Sequence, residues 1–396
     1  MLRLFDSLKK YRDGHQPLYH ISLVVFFWAV ADGINSFALP IFMEQVFGDL
    51  ALVGLVFASS SFFGLLADIL MGSEQKGRTF KPYFILSALL AAFSYWLTFK
   101  AQSILSFFFI MALWGFYYDA LNFGLVDFLS RFSQKDEHSQ SSGVVQMLYS
   151  LGYLLAPLMA GYMVFRGRTV MAAALFFILL SLLAFFIWFK KEKSQPDLPR
   201  RKLNLKEELN IWRQVARRSS WVLIGLFLLN IWDSLIWSLG PIFLVENFAE
   251  RSAYIMACFG VPRVFIKGYA GRWADKGSKK FFLTIGLVTA GVFLALFGLE
   301  SNLGVKLFLA LGSALGASLV WPAADGLFID MIDGYKDEEE EVAGVRGFAH
   351  NLAYIIGPLL AGILAKNLGL PAVFLIYGLS LVFGGSLMAL FWPASQ

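Results

Sequence analysis

Cysteine is nearly absent: Cys258, inside an apolar run, is the only one. That excludes an internal disulfide and a thiolate metal cluster. The four histidines, His15, His20, His138 and His350, stand far apart and offer no metal-ligand spacing, so no metal is expected. Charge is scarce too, at 15% of residues, where a soluble domain carries about a quarter. The sequence holds no Gly-rich phosphate loop, no His-Glu-x-x-His and no nucleophile elbow, which argues against an enzyme, an ATP-driven pump and any bound cofactor. No cleavable signal peptide is evident, because Met1 to His20 is polar and basic and the apolar segment after it is too long for an h-region.

What is present is apolar surface. Hydrophobic residues make up 58% of the 396, with 41 Phe, 14 Tyr and 11 Trp, more than a water-soluble fold can hide. Crossing about 30 Å of hydrocarbon takes about 20 apolar residues. Twelve such runs appear, near 19–43, 50–72, 82–100, 103–129, 141–165, 169–189, 219–244, 252–273, 280–299, 304–330, 342–366 and 370–392. They are called spans one to twelve below, and they predict an all-α membrane protein seated in a lipid bilayer. The net charge of +5 does not point to nucleic acid, since the basic residues lie between apolar runs rather than on one face. Arg3, Lys9, Lys10 and Arg12, then Lys76, Arg78 and Lys81, then Lys276, Lys279 and Lys280 fall on one side. So do the ten Lys or Arg between Lys190 and Arg218. The opposite loops carry fewer: Lys100, Arg166, Arg168, Arg251, Lys306 and Lys366. Both termini are therefore expected in the cytoplasm, the chain lying in the cytoplasmic (inner or plasma) membrane.

The long basic stretch divides the chain into residues 1–189, a linker 190–218, and 219–396. Within the linker, Leu205, Leu209, Trp212 and Ala216 recur at helical spacing over 204–217. They predict an amphipathic helix, either lying on the cytoplasmic membrane surface or solvated as a linker. The acidic run Asp337–Glu341 reads as a solvated loop, without the alternating ligands of a calcium loop.

The halves repeat each other. Asp32 and Pro40-Ile41-Phe42 in span one match Asp233 and Pro241-Ile242-Phe243 in span seven at an offset of 201. At the same offset Gly143, Tyr153, Pro157 and Gly161 of span five match Gly344, Tyr354, Pro358 and Gly362 of span eleven, and Lys135-Asp136-Glu137 matches Lys336-Asp337-Glu338. Gly64 and Asp68 match Gly271 and Asp275 at an offset of 207. A duplicated six-helix unit follows.

These elements resemble the major facilitator superfamily: two six-span halves, a basic central loop, and Gly-x-x-x-Asp after spans two and eight. The resemblance covers essentially the whole chain. Gly271-Arg272-Trp273-Ala274-Asp275-Lys276-Gly277-Ser278-Lys279-Lys280 matches the family's cytoplasmic loop motif except at Ser278. Gly64 and Asp68 keep only its first part. The resemblance implies that Asp275, with Lys279, latches helices in the outward-facing state, and Asp68 less securely. Span five, with Gly143, Gly152, Ala156-Pro157 and Ala160-Gly161, is similar to the family's exporter motif with two glycines replaced by alanine. Span eleven repeats the pattern with Gly357-Pro358, so part of the signal is structural. The arginine that many exporters carry in span four has no counterpart here, where Asp119 and Asp127 stand instead.

Ionisable groups at the centre of a bilayer default to function, because each costs about 2.5–3.5 kcal/mol to insert. At about 1.5 Å per residue, Asp32 and Asp233 lie about 20 Å from the cytoplasmic ends of their spans. The resemblance implies that spans one, four, seven and ten line a central cavity, and Asp119 and Asp325 complete an acidic set on them. Burial disfavours the charged carboxylate, which suits such groups to take up and release protons. The bland alternative is that each Asp closes a helix break or pairs with a neighbouring hydroxyl. Arg263 and Lys267 share a face of span eight and have no basic mates in the first half; Arg346 and His350 share a face of span eleven. Either these bases pair with Asp233 or Asp325, or Arg263 and Lys267 meet an anionic substrate group. Trp28, Phe37, Trp114, Tyr117, Tyr118, Trp232, Trp237 and Trp321 offer stacking surface; Trp28, and to a lesser degree Trp114, reads better as an interfacial aromatic. The expectation is a monomeric secondary transporter of a small solute, proton-coupled and working by alternating access, with efflux ahead of uptake or facilitated diffusion of a sugar or organic anion. Lipid flipping on the same scaffold is the third reading.

Overall fold

The computed structural model describes residues 16–73, 80–132, 138–189, 205–332 and 339–392. The N-terminal basic segment with His15, the loop bases Lys76 and Arg78, Lys135–Glu137, residues 190–204, and Lys336 to the start of the acidic run lie outside them. Among the described residues there are helices and turns and no strand.

The first half forms Gln16–Phe47, Leu50–Ser73, Phe80–Thr98, Ile104–Phe132, His138–Met163 and Val170–Phe189. Spans five and six are joined by a 3-10 turn, Val164–Thr169, in which Gly167 takes a φ of 76° that a side chain would resist. In the second half, span seven is Ser220–Ser238 followed by Gly240–Phe248, and Pro241 sits in the first turn of the second piece, where its missing N–H costs nothing. Span eight is also divided, into Ser252–Phe265 and Lys267–Lys276. Pro262 and Gly268 flank that break. Lys279–Leu299, Leu303–Ile332, Glu339–Leu368 and Leu370–Phe391 complete the chain. Ten of these stretches are long and apolar enough to cross a membrane. One of the ten is the 47-residue Gly143–Phe189, which holds spans five and six together, and divided span eight is not among them. All twelve expected runs are thus helical, and spans seven and eight are broken helices rather than continuous ones.

Compact packing divides the chain into Met1–Val46 with Phe62–Leu198, and Phe47–Ser61 with Pro199–Gln396. The start of span two therefore goes with the second unit. In the first unit, spans one and five cross closely. A Cβ on Gly152 would lie 2.9 Å from the Phe26 carbonyl and 3.0 Å from Val30 N, and one on Gly33 would lie 2.6 Å from the Ala156 Cβ. In the second unit Gly357 of span eleven takes the corresponding place against Ser234 of span seven. The start of span two lies against span eleven, where Gly54 meets the Pro358 carbonyl, Gly362 meets the Leu50 carbonyl, and Lys366 Nζ reaches Asp49 Oδ2 at 2.5 Å.

The linker helix is Leu205–Arg218. Among its described side chains Ile211 and Val215 are buried, and Trp212 packs on Gly344 and Phe348 of span eleven.

Candidate functional site

In the first unit, Asp32 is completely buried in span one. Its carboxylate accepts from Tyr117 Oη at 2.6 Å and Tyr95 Oη at 3.4 Å on one oxygen, and from Tyr153 Oη on the other. Spans three, four and five each supply one hydroxyl, and among the described residues no basic side chain pairs with it. Around this cluster Trp28 stacks with Tyr149, Trp114 stacks with Tyr117, and the Tyr118 and Tyr149 hydroxyls are 3.0 Å apart. Trp28 is not interfacial: it is 2% exposed, and its indole N–H donates to Ser87. Phe37 is fully buried.

Asp119 does not join Asp32. It interacts with Asn122 and, at longer range, with Asp68 of span two. The reason is helical phase: Asp119 lies two residues beyond Tyr117, about 200° round the helix, so when Tyr117 points at Asp32, Asp119 points away. Gly64 is buried and Asp68 half-buried.

In the second unit, Asp233 accepts from Arg263 on one oxygen and from Tyr354 Oη on the other. The guanidinium lies 5.3 Å from the Trp232 ring and 4.7 Å from the Trp321 ring. The His350 ring packs tilted against Tyr354, centroids 4.6 Å apart, and its Nδ1 lies 3.1 Å from Asn230 Oδ1. Trp232 is fully buried and donates to Ser313 at 2.8 Å, whereas Trp237 is half-buried further along span seven. Arg346 pairs with Asp325 at 2.6 Å, both partly exposed. Of the two readings of the basic face, the geometry shows pairing for Arg263 and Arg346. The side chain of Lys267 lies outside those described, as does that of Asp275. Gly271 packs near Pro322 of span ten, and Lys279 reaches Asp330 at 2.7 Å. Pro157 and Pro358 are buried inside their helices.

Sequence reasoning missed the roles of Tyr95, Asn230, Ser313 and Asp330. Tyr153 and Tyr354 carried a signal, since they share the offset of the two aspartates, but their role as donors to those aspartates was not drawn from it.

Two duplicated helix bundles, each centred on a buried Tyr–Asp bond, define a membrane protein of transporter architecture. The family model of the Major Facilitator Superfamily matches residues 21–250 and 222–396. The chain belongs to that superfamily and is by family a transporter, not an enzyme. It is 26% identical over 147 residues to multidrug resistance protein 1 of Bacillus subtilis, covering 37% of each chain. It is 24% identical over 144 residues to the quinolone resistance protein NorA of Staphylococcus aureus, covering 36% of this chain and 37% of that one. The chain thus matches little more than a third of the length of these curated relatives. Among solved structures, the nucleoside transporter NupG superposes with a TM-score of 0.76 at 13% identity, over 95% of this chain and all of that one. A bacterial homologue of the human lysosomal transporter Spinster gives 0.73 at 12% identity, over 94% and 95%. At these identities the likeness is one of fold.

Proposed function

We propose that the protein exports a small amphipathic compound in exchange for protons, by alternating access, with Asp32 as the proton-carrying carboxylate. The observation that carries this is the unequal treatment of two duplicated aspartates. Protonating Asp233 strips Arg263 of its counter-charge, and an uncompensated buried charge costs about 3–5 kcal/mol. Protonating Asp32 strands no cation, because its partners are hydroxyls that can turn to donate or accept. Asp233 is then the fixed anion that seats Arg263 between Trp232 and Trp321, and Asp32 is the group free to change charge.

Export is supported by the exporter-like pattern of span five and by partial similarity to proteins named for multidrug and quinolone resistance. The aromatic surroundings of Asp32 suit a compound with an apolar ring. The reading places a monomer in the cytoplasmic membrane with both termini inside.

A second reading, an organic-anion substrate, is favoured by Arg263 Nε, which is buried without a partner beside the two tryptophans. Purified protein in proteoliposomes, loaded with a pH dye and given an outward- or inward-directed pH gradient, separates the two. A quinolone or an amphipathic dye should move against the proton gradient in wild type, and Asp32→Asn should lose the gradient dependence. Full proton-coupled transport by Asp32→Asn with Asp233→Asn would overturn the assignment; movement only of a carboxylated probe, insensitive to Asp32→Asn, would favour the second reading.

A further inference from the structure

Spans one and three carry two buried polar side chains that the proton reading does not use. The Trp28 indole N–H donates to Ser87 Oγ at 3.1 Å, and further along both helices Tyr95 reaches Asp32. The two helices therefore run in the same direction with Trp28 level with Ser87. Seven residues beyond each partner stand Asn35 and Ser94. Seven residues are nearly two full turns, a drift of only about 20°, so these two occupy the next facing level.

Both are fully buried. Neither amide atom of Asn35 has a hydrogen-bond partner, and neither has the Ser94 hydroxyl. Buried amides and hydroxyls in proteins are paired, through water where protein does not reach. The long indole of Trp28 spans the distance to Ser87, whereas the shorter carboxamide of Asn35 makes no bond to the Ser94 hydroxyl.

We propose that Asn35 and Ser94 form the seat of a single water molecule that exchanges protons with Asp32. The proposal rests on the reading of Asp32 as the proton-carrying group. Water fits the donor set better than a metal ion: the Asn35 NH2 needs an acceptor, which a cation cannot supply, while its carbonyl oxygen needs a donor. Asn35 lies one turn from Asp32 on the same helix face, within reach of one bridging molecule. The Ser36 hydroxyl adjoins the carboxylate as well. The groups facing Asp32 from the packed helices are the hydroxyls of Tyr95, Tyr117 and Tyr153, with no basic side chain among the described residues. The water gives one proton to the carboxylate as it accepts another from the solvent side. It remains water, and the net change is one proton added to Asp32.

Infrared difference spectroscopy on reconstituted protein in H2O and D2O tests this. Wild type should show an O–D stretch of a hydrogen-bonded internal water. That band should vanish in Ser94→Ala and in Asn35→Leu and persist in Ser87→Ala, while exchange at the Asp32 carboxyl slows by roughly tenfold or more, the scale of a lost proton-transfer partner. Ser94→Ala, a small change, keeps the test informative if Asn35→Leu folds poorly. A water band that survives both variants, or unchanged exchange in Ser94→Ala, overturns the seat. A wild type whose Asp32 carboxyl never changes protonation overturns the proton reading instead, and the water band then judges the seat alone.

Discussion

The Lys306 ammonium lies 4.1 Å from the centre of the Phe243 ring, with Phe297 and Phe248 at 4.9 and 5.0 Å, and the side chain is 1% exposed. A buried lysine held by rings has attraction from three quadrupoles, worth about 2 kcal/mol when desolvated, against the cost of leaving water. Lys306→Met keeps the volume and removes both effects, so its thermal stability in detergent should stay within about 1 kcal/mol of wild type. Lys306→Ala empties the cage and should cost about 2–4 kcal/mol. Equal losses in the two variants would show that charge rather than packing holds this corner.

The Arg263–Asp233 pair predicts a non-additive cycle. Arg263→Gln leaves a buried carboxylate and Asp233→Asn leaves a buried guanidinium; each should cost about 3 kcal/mol. The double variant leaves neither charge and should recover most of the loss. Unfolding midpoints of the four proteins measure the coupling, and strict additivity would mean that the ion pair is not a unit.

Periodicity and self-comparison made the helices, the duplication and the two aspartates legible, because each is written in local spacing or in a constant offset. The partners of Asp32 were not. Tyr117 and Tyr95 reach it across 85 and 63 residues of chain, and no local pattern marks such bonds. Asp119 was misjoined because span membership says which helices meet and not which way each side chain turns. The linker helix carried a visible apolar face, but composition does not distinguish lipid from Gly344 and Phe348 as its cover. Lys306 read as a loop charge because it sits near the start of span ten; only packing shows it enclosed.

The close crossings of span one with span five and of span seven with span eleven make two glycines, Gly152 and Gly357, respond differently. A Cβ on Gly152 would press on backbone, the Phe26 carbonyl and Val30 N, which cannot move without shifting the helix. At Gly357 the obstruction is chiefly the end of the Ser234 side chain, which can rotate, and the matching first-half position is already Ala156. Gly152→Ala should cost about 1–3 kcal/mol, the scale of overpacking, and Gly357→Ala under about 1 kcal/mol. Thermal unfolding of both variants in the same detergent decides it, and the reverse order would mean that span eleven is the more rigid.

Asp49 lies outside the spans, in the turn after Gly48, and its carboxylate is held below the usual range. The hydrogen bond from Lys366 is the main cause, helped by the backbone N–H groups of Ala51 and Leu52, while partial desolvation opposes it. A carboxylate with a lowered value in the folded state contributes stability that is present above its unfolded value. That contribution is lost as the pH falls through the folded one. Wild type should therefore be more stable than Asp49→Asn at neutral pH, with the difference shrinking as the solution is acidified below the ordinary aspartate range and vanishing where Asp49 is protonated. Lys366→Gln should shift that loss to higher pH, since the backbone donors alone hold the carboxylate less firmly. Melting curves across acidic pH for the three proteins test the sign. A gap between wild type and Asp49→Asn that widens on acidification would mean that Asp49 holds the turn as a neutral acid and that the bond to Lys366 does not stabilise its charge.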